Sequence, residues 1–160
     1  MINFITGGTG FIGQRLMKSL KQKQCNLRVL SRKQQCEDTV ICDLQKNDIP
    51  NDALIGVDTI FHLAGFAHDM RDTNRIGDLY QKVNVDATVR LAELAAQSKV
   101  KKFVFVSSVK AGGFPPYGCC VGESDQGIPE GVYGKTKREA ELKLLKIGNE
   151  SGMHVSIIRP

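Results

Sequence analysis

The sequence predicts an α/β fold with a doubly wound parallel sheet, and three observations predict it. Short runs rich in β-branched residues alternate with longer amphipathic stretches, which is the pattern of strands joined by helical crossovers. A glycine-rich turn at residues 7–13 separates the first such run from the first amphipathic stretch. The run at residues 102–107 is almost continuously apolar, as expected for a strand buried on both faces.

In chain order, strands are predicted at residues 2–6, 27–31, 39–42, 59–63, 102–107 and 154–158. A first helix is expected at about residues 11–23, after the glycine-rich turn. A long helix is expected at about residues 79–98, where Leu91, Leu94 and Ala95 recur at helical spacing, and a charged amphipathic helix at residues 133–149. Right-handed crossovers then give the strand order 3-2-1-4-5-6.

The Gly- and Pro-rich residues 111–131 are expected to form an irregular loop. This loop follows the carboxyl end of the fifth strand, which is the edge where open α/β sheets bind their ligands.

Length and composition indicate one ordinary globular domain. The 160 residues are 41% hydrophobic and 24% charged, enough to bury a core. No apolar run approaches the ~18 residues that span a membrane, and the first residues lack the basic region and cleavage site of a signal peptide. We therefore expect a cytoplasmic protein without a membrane partner.

Charge and metal-ligating residues argue against two further classes of partner. The net charge is +5, but the basic residues are scattered and aromatic residues are only 6%, so we expect no nucleic-acid binding; phosphate-bearing ligands suit this charge equally well. The five cysteines show no repeated Cys-x-x-Cys spacing. His62 and His68 lack acidic or cysteine ligands at suitable spacing. We expect reduced thiols, no metal, and a structural role for His62 at a strand end.

The turn between the first strand and the first helix has the spacing of a phosphate-binding loop. It satisfies Gly-x-Gly-x-x-Gly through Gly8, Gly10 and Gly13, and Gly-x-x-Gly-x-x-Gly through Gly7, Gly10 and Gly13. Such glycines allow a tight turn, close approach of a pyrophosphate and close helix–strand packing. The helix N-terminus adds free N–H groups and partial positive charge. We expect a bound dinucleotide here rather than a turn without a ligand.

The residues that follow the second strand bear on the choice of cofactor. An acid about 20 residues beyond the turn would bind a ribose 2′-hydroxyl and favour NAD. This chain has Ser31, Arg32 and Lys33 there, and Arg32 can pair with a 2′-phosphate as a bidentate fork. The sequence therefore favours NADP, with NAD as the alternative if Arg32 and Lys33 only face solvent.

Three side chains are candidates for acid–base chemistry. Tyr133 and Lys137 lie four residues apart, on one face of the predicted helix. A phenol has a pKa of about 10, and a neighbouring ammonium lowers that pKa towards neutrality. Ser107 and Ser108 end the fifth strand, where a hydroxyl can orient a substrate oxygen beside the phenol; strand-end capping is the alternative.

Together these residues resemble the extended short-chain dehydrogenases/reductases, in the NAD-dependent epimerase/dehydratase family of UDP-glucose 4-epimerase-like nucleotide-sugar enzymes. The resemblance covers the whole chain. Its motifs stand in family order: residues 6–13, Asp43-Leu44, residues 62–65 (HLAG), Asn84-Val85, Ser107-Ser108, Tyr133-x-x-x-Lys137 and Arg159-Pro160.

The resemblance implies a cofactor site that extends across the chain. Tyr133 and Lys137 would bind its nicotinamide end, and Pro160 would pass close by. The other cofactor-binding residues would be Gly7, Gly10, Phe11, Ile12 and Gly13 at the pyrophosphate, Asp43 and Leu44 at the adenine, Leu63, Ala64 and Gly65 along the ribose and phosphate, and Asn84 beside the cofactor, with Arg32 added by the charge pattern. Ser108, Tyr133 and Lys137 would be catalytic.

The resemblance also implies a Rossmann-type sheet for residues 1–160, with the substrate-binding part of the family beyond this chain, and a homodimer of the full-length protein. The implied activity is reversible hydride transfer on a UDP-hexose or UDP-N-acetylhexosamine, as a 4-epimerase or 4-ketoreductase, which we expect of the full-length protein and not of this portion alone. Two alternatives stay open: an NADPH-dependent reductase of small carbonyl compounds on the same fold, and a non-catalytic NAD(P)-binding sensor.

Overall fold

The structure, a computed structural model, describes residues 1–46, 49–67, 78–115 and 117–160. Six parallel strands form one sheet in the order β3-β2-β1-β4-β5-β6, which confirms the predicted topology. The strands are β1 Ile2–Thr6, β2 Asn26–Ser31, β3 Thr39–Ile41, β4 Val57–His62, β5 Lys102–Val106 and β6 His154–Ile158.

Helices connect these strands and cover the sheet. They are α1 Phe11–Gln22, α2 Ala87–Gln97, α3 Val109–Gly112 and α4 Gly131–Ser151, and the π-helix Gln81–Asp86 leads directly into α2. α2 and α4 pack against each other, and α4 also packs against β6. Among the described residues, no helix combines the length and apolarity needed to cross a bilayer.

The core lies between the sheet and the helices. Phe103 and Phe105 of β5 alternate with more exposed residues and are completely buried, as are Leu91 of α2 and Leu144 of α4. Each such side chain contributes about 1.5–3 kcal/mol relative to exposure to water. This apolar packing holds α4 against the sheet beside β6, and α4 carries Tyr133 and Lys137.

Two parts of the chain differ from the predicted secondary structure. The expected helix at residues 79–98 is not α-helical throughout, because Gln81–Asp86 is a π-helix in which Val83, Asn84 and Val85 are all buried. π-Helical turns are rare and are common at functional sites. The expected loop at residues 111–131 begins inside the short helix α3; its other described residues up to Glu130 are irregular.

The strand order places a crevice at one edge of the sheet. From β1 the chain proceeds outwards to β2 and β3, then returns to the other side of β1 as β4. Loops leaving β1 and β4 therefore diverge at the carboxyl ends of these neighbouring strands, and ligands of open α/β sheets bind at such a point.

Candidate active site

The turn after β1 has no room for side chains at two of its glycines. Gly7 has φ +70°, and a Cβ placed on it would lie 2.6 Å from the Ala64 nitrogen in the loop after β4. A Cβ on Gly13 would lie 2.2 Å from the Gly7 carbonyl oxygen. The Gly10 N–H donates to that same oxygen at 3.0 Å. The turn thus brings the start of α1 and the end of β4 together, as a pyrophosphate cradle requires.

Helix α1 begins at Phe11 with backbone donors facing this crevice end of the sheet. Gly10 caps the helix without a side-chain hydrogen bond. The first N–H groups of an α-helix have no partner within the helix and carry partial positive charge, so they suit a phosphate. The Phe11 ring is exposed, with the Arg15 guanidinium 3.7 Å from its centroid, and it lines neither the groove nor the second cavity described below.

A groove of about 430 Å³ extends from the glycine-rich turn across the edge of the sheet. Its far end is formed by Ser31, Arg32, Asp43 and Leu44. The Asp43 carboxylate accepts a hydrogen bond of 3.1 Å from the Gln45 N–H, which fixes its orientation. The groove-lining residues among those predicted from the sequence are Gly7, Gly10, Arg32, Asp43, Leu44, Leu63, Ala64 and Gly65.

A second cavity of about 230 Å³ adjoins the groove and shares Leu63 and Gly65 with it. Its other lining residues include Ile12, Ser107, Ser108, Tyr133, Lys137 and Pro160. Arg159 fixes the end of β6 beside this cavity, because its Nε donates to the buried Glu141 carboxylate on α4 at 2.9 Å. Through the shared Leu63 and Gly65, the two cavities adjoin between the glycine-rich turn and Tyr133.

Tyr133 and Ser108 meet in the second cavity. Both side chains line this cavity, and the Ser108 Oγ accepts the Lys110 N–H at 3.3 Å as the cap of α3. Burial raises the pKa of Tyr133, the hydrogen bond with Ser108 opposes that shift, and neighbouring Tyr80 adds to it. The capping role that we considered for this serine is therefore present, and the same serine lines the cavity of the phenol.

Lys137 does not act on the phenol as expected from the sequence. Its side chain is buried, its Nζ donates to the Val106 carbonyl at 2.8 Å, and this nitrogen lies 3.9 Å from the centroid of the Phe105 ring. Burial lowers the pKa of Lys137 to about 7, while the Glu141 carboxylate acts in the opposite direction. The expected lowering of the Tyr133 pKa by a Lys137 ammonium is therefore wrong for this arrangement.

Asn84 lies behind the groove wall instead of lining the groove. Its Oδ1 accepts the Phe66 N–H at 2.7 Å, and its Nδ2 donates to the Phe66 carbonyl at 3.1 Å and to the Thr136 Oγ1 at 3.2 Å. Thr136 in turn donates to the Tyr133 carbonyl at 3.0 Å. The π-helix turns this side chain inwards, so Asn84 ties the loop after β4 to the helix that carries Tyr133.

His62 is the structural strand-end residue that we expected. It is completely buried at the end of β4, its Nδ1 lies 2.6 Å from the Thr6 Oγ1, and its Nε2 lies 2.8 Å from the Thr88 Oγ1. Burial lowers the pKa of His62 to about 3, so the ring is neutral. The Thr6 Oγ1 also accepts the Ala64 N–H at 3.1 Å, and this contact positions the groove wall. The sequence did not identify Thr6 or Thr88.

In the described part of the chain, no three His, Cys, Asp or Glu side chains converge in a way that could hold a metal ion. His68 lies outside the described residues.

Comparison with known proteins identifies the family of this chain. Residues 3–160 match the NAD dependent epimerase/dehydratase family. The chain is 35% identical to a UDP-glucose 4-epimerase of Vibrio cholerae over 163 residues, which cover 98% of this chain and 50% of that protein. It thus spans about half the length of the curated relative that it matches.

Two solved structures share the fold. A short-chain dehydrogenase/reductase superfamily protein from Agrobacterium tumefaciens with bound NAD superposes with a TM-score of 0.88 at 25% identity, covering 99% of this chain and 48% of that one. The structure of MoeE5 in complex with UDP-glucose and NAD superposes with a TM-score of 0.84 at 28% identity. The match covers 98% of this chain and 52% of that one. The sheet is accordingly Rossmann-like, and the chain belongs to the NAD dependent epimerase/dehydratase family.

Proposed function

We propose that residues 1–160 are the dinucleotide-binding domain of a longer NAD(P)-dependent enzyme that acts on a nucleotide sugar. The observation that carries this proposal is the pair of adjoining cavities that share Leu63 and Gly65, one lined by the glycine-rich turn and the other by Ser108 and Tyr133. The missing Cβ atoms of Gly7 and Gly13 fit a backbone cradle for a pyrophosphate. In the proposal the longer chain supplies the substrate-binding part and the enzyme is a homodimer.

The proposed reaction divides the work between cofactor and protein. A bound nicotinamide dinucleotide supplies hydride transfer. Tyr133 accepts or returns the proton of a sugar hydroxyl, since its phenol lines the cavity together with Ser108. Ser108 orients the same substrate oxygen. Lys137, whose buried side chain also lines this cavity, binds the ribose beside the phenol.

The substrate in this proposal is a UDP-hexose or UDP-N-acetylhexosamine, changed at carbon 4. A UDP-glucose 4-epimerase at 35% identity and a structure that holds UDP-glucose with NAD at 28% identity support a nucleotide sugar. The enzyme is an epimerase if it oxidises the sugar to a 4-keto-sugar and then reduces it on the other face with the same cofactor. It is a ketoreductase if it takes up a 4-keto-sugar and NAD(P)H and releases the alcohol and NAD(P)⁺.

A substrate panel with the full-length protein tests this proposal. We expect NAD(P)-dependent conversion of one or more UDP-hexoses or UDP-N-acetylhexosamines, observed as epimerised product by NMR or as NAD(P)H absorbance. Small aliphatic and flavonoid-type ketones are expected to react at least about 100-fold more slowly, because they lack the nucleotide whose remote binding energy accelerates the reaction. Turnover of small ketones without any reaction of UDP-sugars would replace this proposal with the carbonyl-reductase alternative.

Arg32 is proposed to select NADP over NAD. It is exposed at the adenine end of the groove, beside Ser31 and Asp43. We expect Arg32→Glu to weaken NADPH binding about 10- to 100-fold and to leave NADH binding within about twofold, since a charged pair with a 2′-phosphate is worth roughly 1.5–3 kcal/mol.

Fluorescence titration with NADPH and with NADH measures both affinities. Lys18→Glu is the matched control, because Lys18 is exposed on α1, does not line the groove and undergoes the same charge reversal. A wild-type preference for NADH, or equal losses in the two variants, would contradict the role given to Arg32.

A further inference from the structure

Two aromatic rings, those of Phe66 and Tyr80, connect the cofactor groove with the ring of Tyr133. Phe66 lines the groove, and its ring centroid lies 4.9 Å from that of Tyr80 at an interplanar angle of 79°. Tyr80 meets the Tyr133 ring at 6.4 Å and 65°. Both pairs have the edge-to-face geometry that aromatic side chains favour. Tyr80 is 5% exposed, at the residue that precedes the π-helix.

The backbone on both sides of this row of rings is already held by other contacts. Asn84 binds both backbone groups of Phe66, and its bond to Thr136 ties that segment to α4. These bonds hold the main chains, and none of them is made to the phenol of Tyr133. Of the side chains described, Tyr80 is the ring in contact with the Tyr133 ring, and Ser108 lines the same cavity as the phenol.

We propose that Tyr80 is a positioning residue, which holds the phenol ring of Tyr133 towards the second cavity and transmits to it the position of Phe66 in the groove. This inference rests on the proposed function, because it takes the groove as the dinucleotide site. Loss of one edge-to-face contact corresponds to about a two- to tenfold change in the population of the held rotamer.

The polar and titratable groups near Tyr133 also influence its phenol, and they are the same in the wild type and in the variants of Tyr80. Ser108, the N-cap of α3, lines the cavity with the phenol, and Lys137 follows one turn later on α4 in the same cavity. Tyr80 raises the pKa of Tyr133, in the same direction as burial. Beyond Lys137 lie His62, which is neutral, and Glu141, which is paired with Arg159.

NMR of the chain labelled with ¹³C-tyrosine observes the phenol directly. The chain has three tyrosines and no tryptophan, so the three ring signals can be assigned by substitution. The probe is NADP⁺, added to saturation at neutral pH. In the wild-type chain we expect the Tyr133 signals to shift on NADP⁺ binding, with a smaller shift for Tyr80.

Three variants separate positioning from general packing. Tyr80→Leu removes the ring and is expected to reduce the NADP⁺-induced shift of Tyr133 at least twofold, with NADP⁺ affinity within about threefold of wild type. Tyr80→Phe keeps the ring and is expected to restore that shift; it also retains the fold if Tyr80→Leu does not. Tyr117→Phe is the control, because the Tyr117 side chain is fully exposed and outside both cavities.

The outcomes distinguish this inference from the proposal on which it rests. The positioning role is overturned, while dinucleotide binding stands, if the NADP⁺-induced shift of Tyr133 in Tyr80→Leu equals that of the wild type. It is also overturned if this shift is no larger in Tyr80→Phe than in Tyr80→Leu. Absence of NADP⁺ and NAD⁺ binding by the wild-type chain overturns the proposed function, and the inference with it.

Discussion

Replacement of Gly7 with alanine is expected to lower the affinity for NADPH and NADH about 100-fold. Two effects add at this position. The new methyl group would lie 2.6 Å from the Ala64 nitrogen and 2.7 Å from the Leu63 carbonyl carbon, and Gly7 has a left-handed φ of +70°. Because the obstructing atoms belong to the backbone, relief requires the loop after β4 to move away from the turn. Overpacking of this kind costs about 1–3 kcal/mol, and tenfold in affinity corresponds to about 1.4 kcal/mol.

Gly118→Ala is the matched control for this variant. Gly118 has nearly the same backbone angle, φ +76°, but a Cβ there has no atom within 4 Å. Both variants therefore carry the conformational penalty of a left-handed alanine, and the Gly7 variant alone deforms the groove. Isothermal titration with either dinucleotide compares them. Equal affinities for the two variants would show that the close approach of Gly7 to the β4 loop is irrelevant to binding.

Replacement of Tyr133 with phenylalanine is expected to lower kcat of the full-length enzyme about 10²- to 10⁴-fold, the usual contribution of a positioned acid or base. Removal of the phenolic oxygen leaves the ring contact with Tyr80 and the cavity walls in place. Dinucleotide affinity is therefore expected to stay within about threefold of wild type. Steady-state kinetics with the preferred UDP-sugar gives kcat, and fluorescence titration gives the affinity.

The direction of the Tyr133 pKa shift adds a pH signature to this prediction. Because burial raises the pKa of Tyr133, the phenol of the chain is protonated at neutral pH and is ready to donate. Oxidation of the sugar requires the phenolate, so wild-type kcat in that direction should rise with pH, and the residual rate of Tyr133→Phe should not. Tyr117→Phe should keep wild-type rates. Unchanged turnover in Tyr133→Phe would remove the phenol from the reaction.

The sequence predicted the sheet well, because its signals are local. Each strand is a short apolar run, and the parallel order follows from the alternation of strands and helices together with the handedness of crossovers. The glycine spacing at Gly7, Gly10 and Gly13 predicted the turn for the same reason, since the conformations that require glycine lie within seven residues of chain. Strand bounds differed from prediction by no more than two residues at either end.

The parts of the site that the sequence missed depend on contacts between distant residues. Thr6 and His62 are 56 residues apart, and Asn84 and Thr136 are 52 apart, so no spacing pattern reveals these bonds. The π-helix before α2 keeps a helical pattern of apolar residues, which an α-helix would share. Lys137 was expected to lower the Tyr133 pKa because four-residue spacing places both on one face, but the spacing does not report the Val106 carbonyl that receives the ammonium.

A crystal structure of the chain with NADPH or NADH tests the central claim most directly. We predict that the pyrophosphate accepts hydrogen bonds of about 2.7–3.2 Å from the backbone N–H groups at the start of α1. We also predict that the nicotinamide ring lies in the second cavity, in contact with the phenol of Tyr133. A dinucleotide bound away from the turn, or bound there with its nicotinamide outside that cavity, would contradict this account.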